Sequence, residues 1–189
     1  MKELEEKILK EGVLLPGDIL KVGSFLNQKV DTELLKLMAE ETVRLYKGEK
    51  ITKVLTIEAS GLPFAAAVGM ELKVPMVFAK KEKTMNVSGD LATAQVDSFT
   101  HKNTSIIYIT KEYINENDRV LIVDDFLAKG NALLGLIEIV KQCGATVVGC
   151  AIEIEKVYQG GGKIVRDLGY RVESLAAITY MDDKQIKFK

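Results

Sequence analysis

The sequence predicts an α/β fold, a doubly wound, mostly parallel twisted sheet with helices on both faces. Three observations carry the prediction. Short apolar runs of strand length alternate with helical patterns along most of the 189 residues, the order that builds parallel sheets. The run Val120-Leu121-Ile122-Val123 is apolar without alternation, as in a strand buried on both faces. It ends in Asp124-Asp125, followed by a short loop with one glycine, Gly130, and a helical apolar run over residues 133–140.

The elements follow in order. Leu4, Ile8 and Leu9 give a first helix a narrow apolar face, stopped by Gly12. Residues 14–27 are extended and turn-rich, punctuated by Pro16-Gly17. Asp31 caps a second helix, on which Leu34, Leu35, Met38, Val43 and Leu45 recur at helical spacing. Residues 53–58 read as a buried strand, 62–72 as a small-residue helix and 76–79 as the next strand. Residues 80–90 are polar and expected to be mobile. The strand-like runs 91–99 and 105–110 flank a short polar stretch, a hairpin pattern. After the strand at 119–123 and its helix come a strand at 147–154, the turn Gly160-Gly161-Gly162, a helix at 163–168 and a late strand at 171–178. There is no internal repeat and no low-complexity linker. A single domain is expected over 1–189, with a core of about 31–149. The chain ends, about 1–30 and 150–189, fit sheet core poorly and are expected to form a small hood.

Composition narrows the function. A chain of this length buries roughly 70% of its unfolded surface without disulfides, and a hydrophobic content of 47% excludes disorder. The 26 basic and 27 acidic residues nearly cancel. A nucleic-acid partner would need a local basic patch and is not expected. Cys143 and Cys150 match no metal or redox spacing and read as small core hydrophobes. His101, the sole histidine, lies in a polar run and reads as a solvated loop residue, so no histidine relay is expected. The charged start Met1-Lys2-Glu3-Leu4-Glu5-Glu6-Lys7 lacks the apolar core of a signal peptide. No apolar run reaches the roughly 18 residues of a membrane span. A cytoplasmic protein without a membrane partner is expected.

Open α/β sheets bind ligands at the carboxyl ends of their strands, where Asp124-Asp125 stand. The loop after them can turn backbone N–H groups, and the positive end of the next helix, onto a phosphate. The carboxylates repel phosphate. They suit ribose hydroxyls, or a Mg²⁺ shared with the ligand. Diols and phosphate on one molecule point to a phosphorylated sugar. Alone, the pattern also fits an ordinary strand-to-helix turn or a receiver domain. A second such turn, Thr56-Ile57-Glu58-Ala59-Ser60-Gly61-Leu62-Pro63, favours a ligand with phosphate groups at both ends. Ser60 and Gly61 can offer N–H groups there, although a plain helix cap by Ser60 accounts for the local pattern equally well. Lys80-Lys81-Glu82-Lys83 leaves the next strand at the same edge. It is either a solvated face or a set of cationic partners for pyrophosphate.

Together these features resemble the type I phosphoribosyltransferases. Residues 120–132 are similar to that family's signature for 5-phosphoribosyl 1-pyrophosphate, and the resemblance covers about 53–155. The family loop commonly carries threonines around its glycine. This chain has Ala128 and Ala132, which leaves phosphate mainly to backbone N–H groups. Within the family, Ile19-Leu20-Lys21-Val22-Gly23-Ser24-Phe25-Leu26-Asn27-Gln28-Lys29-Val30-Asp31 resembles the base-binding segment of bacterial xanthine phosphoribosyltransferases. Ala128-Lys129-Gly130-Asn131-Ala132 resembles their alanine-containing loop, and Ile152-Glu153-Ile154-Glu155-Lys156 their strand and base-binding lysine. At this level the resemblance spans nearly the whole chain. It implies transfer of the phosphoribosyl group to N9 of xanthine, by a homodimer. It implies that Leu20, Asn27 and Lys156 contact the base and that Ala128, Lys129, Gly130, Asn131 and Ala132 hold the ribose phosphate. On this reading Asp124 and Asp125 are the catalytic pair that holds the ribose diol. Glu58, Ser60, Gly61, Lys80 and Lys81 surround the pyrophosphate and its Mg²⁺, with no protein residue assigned as a metal ligand.

The chemistry of Lys156 agrees with that reading. An ammonium only donates hydrogen bonds, so it suits a 6-oxo group and meets the amino group of adenine badly. Asn27 reads the 2-oxo group of xanthine or, flipped, the 2-amino group of guanine, which leaves guanine and hypoxanthine open. Without the resemblance, Lys156 reads as a surface lysine and Asn27 as a turn residue. Tyr158 and Phe126 are either stacking partners of a purine or core aromatics. Residues 82–101 are expected to close over the site and exclude water. The rivals are an enzyme of the same class acting on adenine or orotate, and a nucleotide-sensing regulator with the same fold.

Overall fold

The structure, a computed structural model, describes residues 1–81, 89–97 and 104–189. The chain begins with α1 (Lys2–Glu11), the strands β1 (Val13–Leu15) and β2 (Ile19–Lys21), a π-helical turn (Gly23–Asn27) and α2 (Thr32–Leu45). Next come β3 (Lys53–Ile57), α3 (Leu62–Leu72) and β4 (Met76–Ala79), then β5 (Leu91–Asp97) and β6 (Thr104–Thr110). The remainder is β7 (Arg119–Leu127), α4 (Asn131–Gln142), β8 (Thr146–Lys156), α5 (Gly161–Asp167), β9 (Val172–Met181) and β10 (Ile186–Phe188).

Six strands form the central sheet in the order β10-β9-β8-β7-β3-β4. β4, β3, β7, β8 and β9 run parallel, and β10 is the antiparallel edge. Side chains alternate between two apolar layers, as the pleat requires. Val54, Leu121, Val123 and Ala151 join one cluster, with Met38 of α2 and with Phe64 and Val68 of α3. Leu55, Val120, Ile122, Cys150 and Ile152 join the other, with Leu136 and Ile139 of α4 and Val165 of α5. The doubly wound class follows from this: both faces of the strands are apolar because both are covered. Asp31 caps α2 as predicted, its Oδ1 accepting from the Leu34 N–H at 3.1 Å. The β5–β6 hairpin is present and packs on α4, where Gly135 makes room: a Cβ there would lie 2.6 Å from Val96.

Two expectations need correction. The last forty residues are not set apart from the sheet, because β8, β9 and β10 make up half of it. Ile152-Glu153-Ile154-Glu155-Lys156 looks like a half-exposed strand, yet all five residues are buried. Glu155 tolerates this because Arg166 donates to both its oxygens, at 2.7 and 2.8 Å, and the Ser174 hydroxyl donates at 2.5 Å. Burial alone would push this carboxyl up, but those donors hold it below the usual range. Second, β7 does not stop at Val123. It continues to Leu127, opposite Glu155 of β8, so Asp124 and Asp125 lie inside the strand. The separate amino-terminal piece is the two-stranded β1–β2 sheet.

Residues 82–88 and 98–103 lie outside the described residues, so the expected closing segment and His101 fall largely there. No helix among the described residues is long and apolar enough to cross a membrane. Cys150 is fully buried and Cys143 partly so, both as free thiols.

Removing Arg166 would leave the Glu155 carboxylate buried and half-partnered. Arg166→Ala is expected to cost about 2–3 kcal/mol, somewhat less than a fully enclosed pair because Arg166 is part-exposed. Chemical denaturation at neutral pH measures it.

Candidate active site

The strand order reverses beside β3, since the chain steps out from β3 to β4 and returns to β7 on the other side. Such a switch point opens a crevice at the carboxyl ends of the two strands. The turn after β3 and the end of β7 bound a cleft of about 450 Å³ there, within the roughly 300–1,000 Å³ usual for ligand sites. Glu58, Ser60, Gly61, Lys81, Asp124, Asp125 and residues 128–132 line it.

The turn after β3 contains a cis peptide between Glu58 and Ala59. Ser60 is exposed and is not the cap of α3. Gly61 takes that position, with no side-chain cap and with Pro63 in the first turn. The plain-cap alternative for Ser60 therefore fails. A Cβ on Gly61 would lie 2.5 Å from the Thr56 hydroxyl and 3.0 Å from Asp124 Oδ1. Glycine lets this turn lie directly against the carboxyl group. Glu58 Oε1 accepts from the Lys81 N–H at 2.8 Å, joining the ends of β3 and β4.

The loop after β7 is shaped by two glycines. Gly130 caps α4 at φ +88°, a conformation costly for other residues. Gly161 packs behind it and donates its N–H to the Ala128 carbonyl at 3.0 Å. A Cβ on Gly161 would run into Ala128 O, Gly130 N and Lys129 C. This accounts for the Gly160–Gly162 run: Gly161 backs the loop, and Gly162 leaves room for the Glu155 carboxylate.

Asp124 is buried and Asp125 half-buried. The strand geometry explains how two consecutive acids both turn inward. Val123 and Phe126 join the same apolar cluster although three residues apart, and so do Ala151 and Ile154 in β8. The two strands slip out of alternation together, since Asp124 pairs with Ile152 and Phe126 with Ile154. Such irregularities re-aim side chains. The Asp125 N–H donates to Asp124 Oδ1 at 3.0 Å. Burial, and then the charge of Asp125, push the Asp124 carboxyl well up, with Lys81 opposing. Burial also raises Asp125, opposed by the Phe126 N–H and by hydrogen bonds from Asp124 and Asn27. The two carboxyls titrate as one pair, and burial with mutual repulsion disfavours charge on both at once.

Asn27 thus reaches the carboxyl pair from the amino-terminal segment. Leu20, Lys156 and Lys80 do not line the cleft. Leu20 and Lys156 are buried, and the Lys156 ammonium donates to the Asp18 carbonyl. Burial lowers the Lys156 ammonium from its usual range, against the pull of Asp18. The Lys80 backbone exchanges hydrogen bonds with Tyr108, and its ammonium lies 5.9 Å from the Phe78 ring centre. Of that lysine pair, Lys81 faces the cleft. Phe126 lines the cleft as well, while the Tyr158 hydroxyl bonds Asp18.

Sequence reasoning missed Glu153. It is buried on β8 between Ile152 and Ile154, the partners of Asp124 and Phe126, and is pushed well up first by burial and then by the charges of Asp125 and Asp124. The alternation of Ile152, Glu153, Ile154 and Glu155 disguises it as an outward-facing residue. Thr56 was also missed: its buried hydroxyl has no partner among the described residues.

The paired acids and the amide loop stand together at a switch point, where α/β folds bind ligands, and comparison with known proteins gives the class. Residues 25–173 match the phosphoribosyl transferase domain. The chain is 47% identical over 189 residues to a xanthine phosphoribosyltransferase of Ligilactobacillus salivarius, covering 100% of this chain and 98% of that one. It is 48% identical over 189 residues to another from Oceanobacillus iheyensis, covering 100% and 97%. Its fold is similar to that of adenine phosphoribosyltransferase from Giardia lamblia complexed with 9-deazaadenine, with TM-score 0.80 and 23% identity over 94% of this chain and 98% of that one. The chain belongs to the phosphoribosyl transferase family.

Two predictions follow from this geometry. Because the folded state raises the Asp124 carboxyl, the ligand-free protein loses stability as pH rises from the ordinary value of 3.8 through the folded one. Asp124→Asn removes that loss and is expected to stabilise the ligand-free protein at neutral pH by on the order of 1 kcal/mol, about 2–4 °C in Tm. Scanning calorimetry across pH tests both sign and size. Gly161→Ala, which presses a methyl group into the loop, is expected to weaken sugar-phosphate binding about tenfold or more, measured by titration calorimetry with 5-phosphoribosyl 1-pyrophosphate.

Proposed function

We propose that this protein moves the 5-phosphoribosyl group of 5-phosphoribosyl 1-pyrophosphate to N9 of xanthine, giving xanthosine 5′-monophosphate and pyrophosphate. The observation that carries the reading is one cleft in which Asp124 and Asp125 stand beside the amide loop 128–132 and face the turn 58–61. The names of its full-length relatives support xanthine as the base.

On this reading the roles follow from charge. Asp125 and Asp124 accept hydrogen bonds from the ribose diol and stabilise positive charge on the sugar as its bond to pyrophosphate opens. Backbone N–H groups of the 128–132 loop hold the 5-phosphate. Ser60, Gly61 and Lys81 face the pyrophosphate, and Lys80 adds charge at the same edge. N9 then bonds to C1 of the sugar, and the imidazole ring releases its proton to water or pyrophosphate. No protein nucleophile is required. Leu20, Asn27 and Lys156 make up the base side, with the Lys156 ammonium donating to the 6-oxo group.

Among the described residues no group of three or more His, Cys, Asp or Glu side chains is placed to hold a metal. Mg²⁺ is usually bound through substrate phosphates with one or two carboxylates. Here Glu58 and the Asp124–Asp125 pair face the cleft, and the ion neutralises pyrophosphate charge when bound. A cytoplasmic homodimer without a nucleic-acid or membrane partner completes the proposal.

Xanthine, guanine, hypoxanthine, adenine and orotate, each offered with the pyrophosphorylated sugar and Mg²⁺, give the direct test. Nucleotide formed fastest from xanthine is the expected result, and preference for another base overturns the assignment. Asp125→Asn is expected to reduce kcat by about 10²–10³ with the fold intact by circular dichroism. Lys156→Ala is expected to raise KM for xanthine about tenfold or more, with KM for the sugar donor nearly unchanged. Equal losses for both substrates would remove Lys156 from the base side.

A further inference from the structure

Asp18 stands at the tip of the β1–β2 hairpin with φ +67°, a left-handed conformation that Asp and Asn accept more readily than most residues. Three donors from the chain at and just after the end of β8 converge on it. The Lys156 ammonium donates to its backbone carbonyl, the Tyr158 hydroxyl to Oδ1 at 2.5 Å, and the Gln159 amide to Oδ2. The Gln159 Oε1 is buried with no partner among the described residues. The amide leaves one end unsatisfied and keeps its N–H on Asp18, although an unpaired buried acceptor is costly. This clasp joins the hairpin that carries Leu20 to the strand end that carries Lys156.

We propose that Asp18 is a positioning residue for the base subsite, fixing the Lys156 ammonium and holding the Leu20 hairpin over the end of β8. The proposal rests on the function proposed above and adds a residue to it. An ammonium has three N–H donors. One is committed to the Asp18 carbonyl, which sets the direction of the other two. A lysine side chain loses rotamer entropy when it is fixed. The clasp removes that freedom before a base arrives, and the adjacent carboxylate favours the charged ammonium. Asp18 is not among the residues lining the sugar-phosphate cleft. Its loss therefore acts on the base and leaves the sugar donor alone, a split that general destabilisation would not produce.

Steady-state kinetics on the full-length parent, Asp18→Ala, Asp18→Asn and Tyr158→Phe, with each substrate varied separately, test the proposal. Asp18→Ala is expected to raise KM for xanthine about tenfold while KM for the sugar donor stays within about twofold. Asn tolerates the same backbone and keeps one acceptor, so Asp18→Asn recovers to within about threefold of the parent. Tyr158→Phe removes one donor from a part-exposed ring and raises KM for xanthine about threefold. If Asp18→Ala does not fold, the Asn and Phe variants decide. Both KM values rising together, or KM for xanthine unchanged in every folded variant, overturns the proposal. A parent that forms no nucleotide from xanthine, guanine or hypoxanthine overturns the function and this inference together. An active parent with no split in its variants overturns this inference alone.

Discussion

Two acids held side by side in a crevice are the constraint around which the structure is arranged. Burial and mutual repulsion both disfavour a charged Asp124 beside Asp125, and like charges in a poorly solvated site do not both ionise easily. The fold holds them there by a shared slip of alternation in β7 and β8. It offers only partial relief, through Lys81, Asn27 and the backbone N–H of Phe126. A ligand rich in hydroxyl donors, or one that arrives with a cation, supplies what the protein leaves out. The site is thus strained toward its substrate, in keeping with the tendency of active sites to sacrifice stability for function.

The end of β8 serves several neighbours at once. Glu153 feels the charges of Asp125 and Asp124, Glu155 binds α5 and β9 through Arg166 and Ser174, and Lys156 reaches back to Asp18. The chain then turns through Tyr158 and Gln159 into Gly161, which supports the phosphate-type loop from behind. One segment of about a dozen residues therefore sets both the far wall of the proposed base side and the shape of the loop. Polar groups buried this densely are tolerable only when nearly all of them are satisfied. The tight packing at Gly161 and Gly162 fits that condition.

Local signals carried most of the framework. The unbroken apolar run 120–123, the Asp31 cap and the polar gap between two strand-like runs each depend on near neighbours, and each matches its element. The carboxyl pair and its loop were legible because the chemistry is contiguous. The rest was hidden by distance along the chain. The partners that let Glu155 be buried, Arg166 and Ser174, lie 11 and 19 positions further on, so nothing local marks the last forty residues as part of the sheet. Gly161 reads as part of a glycine turn until the loop at Ala128 packs against it. Asp18 and Lys156 are 138 positions apart, and no periodicity links them. Glu153 escaped notice because an acid between two isoleucines fits ordinary strand alternation, which fails at that level of the sheet.

The two halves of the site differ in what holds them. On the loop side the contacts offered are mostly main-chain N–H groups, shaped by glycines, so Ala128 and Ala132 can stand where hydroxyls are common in the family without abolishing the cradle. On the proposed base side the groups are side chains, held by contacts between segments remote in sequence. Main-chain geometry is reset only by changes that alter φ or remove a glycine. Side-chain geometry is reset by single substitutions at a tip such as Asp18. The physical expectation is a rigid grip on the phosphorylated sugar joined to a more adjustable reader of the base, with the acid pair, touched by Asn27 from one side and by the Gly61 turn from the other, as the point where the two halves meet.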